Sequence, residues 1–152
     1  MAGAFLHISG VDELIAAMSA MRERVSAATP LAVVAAQAVI EGRARAELSR
    51  YSHPRGTPTP APPGGPPARI DGRLRDSFDL AGPTAAGAGV WRAVMGPTAV
   101  YARIQELGGT AGRGHHTTLP ARPYLHPAAQ SAIDSGLVRD QFVRLWGSAI
   151  AR

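Results

Sequence analysis

The hydrophobic positions of this chain fall at helical spacing through its first third. They thin out into a proline-rich stretch, return as two short runs, and end in a last helical pattern. Val11, Leu14, Ile15, Met18, Met21 and Val25 recur every three or four residues, with Asp12, Glu13, Arg22 and Glu23 set largely apart. That spacing predicts an amphipathic helix ending near Ala28. Ahead of it, Ala4–Ile8 reads as a short strand, and Ser9 with Asp12 three residues on reads as a capping box. Thr29-Pro30 then reads as a cap followed by proline at the first helical position, restarting a second helix that runs to about Tyr51. The first half of this second helix is apolar on nearly every side, which implies burial on two faces. Its later half keeps Ile40, Ala44, Leu48 and Tyr51 opposite Glu41, Arg45 and Glu47.

Residues 52–68 hold seven prolines and three glycines and no large apolar side chain, a loop that cannot join a core. A helical turn or bend over Asp71–Phe78 leads into a strand through Phe78 and Leu80. Residues 81–89 read as a hairpin loop and Val90–Met95 as the returning strand. A short helix follows, with Thr98 as cap, Val100, Tyr101, Ile104 and Leu107 on one face, and Gly108 or Gly109 as terminator. After a glycine-rich loop over 109–120, three prolines between Pro120 and Pro127 fix an extended arm. The last helix is expected from Pro127 to about Ala151, weakened in its middle by Gly136.

Length adds one constraint: 152 residues make one domain with a modest core. Hydrophobic content is 45%, but much of it is alanine and aromatics are only 5%, so that core is lean in large side chains. The formal net charge is +5, and all 16 basic residues are arginine, which raises nucleic acid as a partner. Residues 1–51 balance five arginines against five acids. The surplus is scattered through the middle and C-terminal parts, with no basic run and no arginine–aromatic interleaving to make a stacking platform. There are no cysteines, which excludes disulfides and thiolate metal sites and suits cytosol-like conditions. No signal peptide is visible, and the longest apolar run, Leu31 to Ile40, is far short of a membrane span.

Candidate chemistry is sparse. His115-His116 sits in a glycine-rich loop with no acidic residue nearby and the other histidines in distant segments, an exposed pair rather than a metal site. Ser77 beside Asp76 lacks the glycine elbow that exposes a nucleophile. The glycines around Gly108 match no phosphate-binding pattern. No catalytic, metal or cofactor-binding residue is therefore assigned, and an enzyme is not expected. Glu106 and Arg122 both neighbour conformationally special residues and are expected to pair, across the loop or between subunits.

Three segments carry a resemblance: Gly72-Arg73-Leu74-Arg75-Asp76-Ser77-Phe78, Tyr101-Ala102-Arg103-Ile104-Gln105-Glu106-Leu107-Gly108, and Ala121-Arg122-Pro123-Tyr124-Leu125-His126-Pro127-Ala128. Their order resembles the small neck and tail-completion proteins of long-tailed double-stranded-DNA phages, across most of residues 30–135. Leucine stands at position 107 where an aromatic is common, and the 52–68 loop is unusually long and proline-rich. The resemblance implies an α+β fold in which a small, mainly antiparallel sheet with a β-hairpin packs against a long N-terminal helix and a C-terminal helix. It implies a virion protein, assembled in the host cytoplasm, that forms a homo-oligomeric ring of six subunits at the head–tail junction. Its partners there would be the tail tube protein and head-side connector or stopper proteins, with non-specific DNA contact in the lumen and no membrane. The motif residues expected to serve this role are Gly72, Leu74, Arg75, Ser77, Tyr101, Glu106, Gly108, Arg122, Pro123 and Tyr124. Contacts between subunits are expected from the 52–68 loop, the 81–89 hairpin tip and the 109–120 loop. The alternative is a small basic nucleic-acid-binding protein.

Overall fold

The computed structural model describes residues 9–57 and 61–151; the strand expected over Ala4–Ile8 lies outside the described residues. The expected α+β class holds. A long N-terminal helix, α1 (Val11–Glu47), is followed by a single helical turn, α2 (Arg73–Asp76), and a hairpin of β1 (Phe78–Gly87) and β2 (Val90–Pro97). A short helix α3 (Ala102–Leu107) leads to a second small hairpin, β3 (Gly109–Ala111) and β4 (Thr117–Leu119), with a 3₁₀ turn at its tip. Two helices close the chain, α4 (Leu125–Asp134) and α5 (Leu137–Ile150). Both sheets are two-stranded and antiparallel.

The largest departure from the expected elements is that α1 does not break at Thr29-Pro30. It runs unbroken for 37 residues, about 55 Å at 1.5 Å per residue. Proline's fixed φ is helical, so the helix can continue at the cost of one backbone N–H and of the ring crowding the Ser26 carbonyl. The Thr29 hydroxyl does not cap a new helix; it donates to the Val25 carbonyl one turn back (2.8 Å) and accepts from the Trp146 indole N–H of α5 (3.1 Å). The Trp146 contact thus anchors to α5 the turn that precedes Pro30. The helix begins not at a Ser9–Asp12 capping box but after Gly10, whose φ of +87° is left-handed. By length and composition this continuous helix is apolar enough to cross a membrane, which the interrupted sequence pattern hid. Its uncharged stretch, Val25–Ile40, is where Thr29 and Gln37 tie it to the rest of the fold.

Gln37 is buried at 6% exposure, and its amide nitrogen donates to the Val94 and Ala81 carbonyls of the hairpin (3.1 and 3.4 Å). A buried amide left without partners costs about 1–3 kcal/mol, so this link both holds the hairpin on α1 and satisfies the side chain. The core is mostly alanine: Ala32, Ala36, Ala44, Ala102, Ala128 and Ala132 are buried, joined by Leu48 and Tyr124. Burial on two faces of the middle of α1 is not seen, since Leu31 and Val34 are exposed.

Four further expectations shift. Residues 81–87 belong to β1, so the hairpin tip shrinks to Ala88-Gly89, with bulges on either side of Thr84-Ala85. The 109–120 loop is itself the β3–β4 hairpin. The last helix is two helices, because Gly136 takes a left-handed φ of +76° at the start of α5. The 52–68 loop does enter the core: Ala61, Pro66 and Pro67 are buried. Its ends are held by hydrogen bonds between Tyr51, His53 and Arg69, and its Gly64 N–H reaches the Ala121 carbonyl (3.2 Å). Small, rigid residues fill space beside an alanine core without large side chains.

Candidate functional site

The three motif segments, distant in sequence, assemble around α3. The first segment is tied in through Ser77. Its carbonyl accepts from the backbone N–H and hydroxyl of Thr98 (2.8 and 3.0 Å), and its hydroxyl accepts from the Ala99 N–H (3.3 Å) while donating to Leu74 (3.0 Å). Thr98 therefore staples α2 to the approach of α3 instead of capping it, and α3 begins after Tyr101. The expected apolar face of α3 is also incomplete, since Val100 and Leu107 are exposed.

Glu106 is the centre of the second junction. Its carboxylate accepts from three consecutive backbone N–H groups, those of Tyr124 (2.8 Å), Leu125 (3.0 Å) and His126 (2.9 Å). These are orphan donors at the N-terminus of α4, where the helix dipole also favours an anion. Within one subunit the expected Glu106–Arg122 pair is thus replaced by a cap supplied from another element. Arg122 makes no salt bridge among the described residues, and its backbone N–H donates to the Gln105 carbonyl (2.7 Å). Tyr124, 1% exposed, is the largest fully buried side chain. Burial raises its phenol above the ordinary tyrosine range, and the nearby Glu106 charge adds to the effect.

Gly108 closes α3 at φ +71°, ψ −177°, a region open essentially to glycine alone. A Cβ there would sit 2.8 Å from the Ala121 nitrogen and 2.9 Å from the Leu119 oxygen. The glycine is what lets the arm carrying Arg122, Pro123 and Tyr124 lie against the end of α3.

Beside this junction lies a cleft of ≈ 390 Å³, between the end of α1, the Pro67–Arg75 segment and α3. Gly72, Leu74, Arg75 and Tyr101 line it together with Leu48 and Ile70, so four motif residues share one surface. Arg55, Arg69 and Arg73 line it as well. Arg55 meets Asp71 (3.3 Å) and Arg75 meets Asp76 (2.9 Å), while Arg69 and Arg73 make no salt bridge among the described residues. Arg75 also holds the Asp76 carboxyl below its usual range. Arg122 faces a neighbouring cleft with His53 and Gln105; Glu106 and Tyr124 line a third, with Leu107 and Leu125. The arginine cluster is absent from any local sequence pattern because Arg55 and Arg69 reach it from opposite ends of the proline-rich loop.

Among the described residues no group of histidine and carboxylate side chains is placed to hold a metal ion. His115 and His116 are exposed. The arrangement can bind an acidic or amphipathic surface, offering cationic hydrogen-bond donors over an apolar floor. Comparison with known protein families, curated proteins and solved structures returns no match for this chain.

Proposed function

We propose that this protein is a virion structural component at the head–tail junction of a tailed phage, where it forms a ring that completes or terminates the tail. One observation carries the reading. The three segments that resemble neck and tail-completion proteins pack as one unit around α3, joined by the Ser77 and Glu106 hydrogen bonds. A motif set that serves one structural purpose should converge in this way. The unit offers clefts and exposed apolar side chains suited to protein partners. A ring needs two different complementary faces on each subunit; its subunit number, put at six by the resemblance, and its partners in tail tube and head connector belong to the same proposal.

The test is electron microscopy of particles from a phage carrying a stop codon in this gene. Full heads beside separate finished tails, or tails of uncontrolled length, are the expected result. Normal infectious particles would overturn the proposal.

A further inference from the structure

Every residue of the first four turns of α1, from Val11 to Arg24, is exposed. The stretch is about 21 Å long. The C-terminal turns of α5 meet α1 at a cleft where Leu145, Ser148 and Ala149 face Arg24, Ala28 and Leu31. Beyond them α1 projects as an arm. Its apolar stripe is the unpacked continuation of the face that buries Ala32 and Ala36 lower down. Leu14 is 60% and Ile15 58% exposed. A helix of this length left exposed among the described residues is marginal in water, and such a stripe marks a contact surface.

Charge selects what covers it. Asp12 and Glu13 stand in the first turn beside Val11 and Leu14 and make no salt bridge among the described residues. The cleft at the opposite end of α1 has the complementary character: Leu48 and Leu74 within, and at its exposed rim Arg69 and Arg73, which make no salt bridge among the described residues. Its ≈ 390 Å³ accommodates side chains of one helical turn rather than a whole helix. About 55 Å of α1 separates the two surfaces, so one subunit cannot satisfy both.

We infer that the tip of α1 from one subunit docks in the arginine-rimmed cleft of the next, Val11 and Leu14 entering it while Asp12 and Glu13 meet Arg69 and Arg73. The contact is head-to-tail, the type that generates rings. Resting on the ring reading above, this contact nonetheless fails separately from it: association is read on purified full-length protein, whereas the place in the virion is read from the stop-codon particles.

Two charge-reversed proteins test it by sedimentation velocity: one with Asp12→Arg and Glu13→Arg, the other with Arg69→Glu and Arg73→Glu. Wild type is expected to self-associate, and each variant alone to do so at least tenfold more weakly. Mixing the two should restore assembly, because each arm then finds a cleft of opposite sign. A Leu14→Gln, Met18→Gln variant, which keeps every charge, should also weaken association. Circular dichroism confirms that each variant is folded. A monomeric wild type would overturn the inference. So would a cleft variant that associates normally, the result of arm-to-arm pairing. A cleft variant that loses only duplex-DNA binding would overturn it too, and so would a mixture that stays dissociated.

Discussion

Glu106 shows how one side chain can do its work far from its own element. Its carboxylate supplies the N-terminal cap of α4 from α3, 18 to 20 residues away. Glu106→Ala removes both acceptor oxygens and orphans three donors, so it should cost about 2–3 kcal/mol, read as a lowered denaturation midpoint in urea with unchanged slope. Glu106→Gln, which keeps one acceptor, should lose less. Tyr124 supplies a pH test. Its folded-state pKa is raised by burial, so the folded protein holds the phenolic proton more tightly than the unfolded chain. The resulting stability is fully present below the unfolded pKa near 10 and is lost as pH rises beyond it, by up to about 1.4 kcal/mol per pH unit. Tyr124→Phe should flatten that alkaline fall, seen by comparing denaturation at pH 8 and pH 10.5. Both residues stand out in the sequence because they belong to the resembling segments. Their roles do not, because a cap reaching across a hairpin leaves no local spacing, and Arg122, the expected opposite charge, is the wrong partner to infer.

At the scale of elements, two residues known as helix breakers exchange roles. Pro30 sits inside α1 and does not end it, while Gly136 separates α4 from α5. Proline forfeits a hydrogen bond but keeps helical φ, and the Trp146–Thr29–Val25 relay ties the turn just before it to α5. Gly136 is free to adopt φ +76° and starts α5, which goes on along α1 from Arg43 beside α4 to Thr29 beside Trp146. Restoring the missing donor with Pro30→Ala should stabilise the protein by about 1–3 kcal/mol, a rise in melting temperature of roughly 2–4 °C per kcal/mol. The periodicity of Val11 to Val25 correctly announces a helix, and Phe78–Met95 a hairpin. Neither pattern tells whether a face is covered by its own chain, so the stripe on the arm reads as core and is exposed. The proline-rich loop errs the other way. Small side chains look unfit for a core until the core turns out to be built of alanine.

The whole molecule is a long helix with different equipment at its two ends. One end carries the bare, acidic-tipped arm. The other carries α2, α3 and the arginine-rimmed cleft, held in place by Ser77, Glu106 and Gly108. The order of periodic segments announces the helices and the first hairpin, and the resemblance implies the α+β class that holds. The cleft is not legible in the sequence, because Leu48, Arg55, Arg69 and Tyr101 meet only after the 52–68 loop folds back on the end of α1. In the ring proposed above, the net charge of +5 would leave a surplus to face DNA in the lumen. Cryo-electron microscopy of the neck of intact virions tests this account most directly. The expected result is a ring of copies of this fold at the head–tail joint. A neck fully accounted for by other chains, with no density matching the long helix and its hairpin, would contradict it.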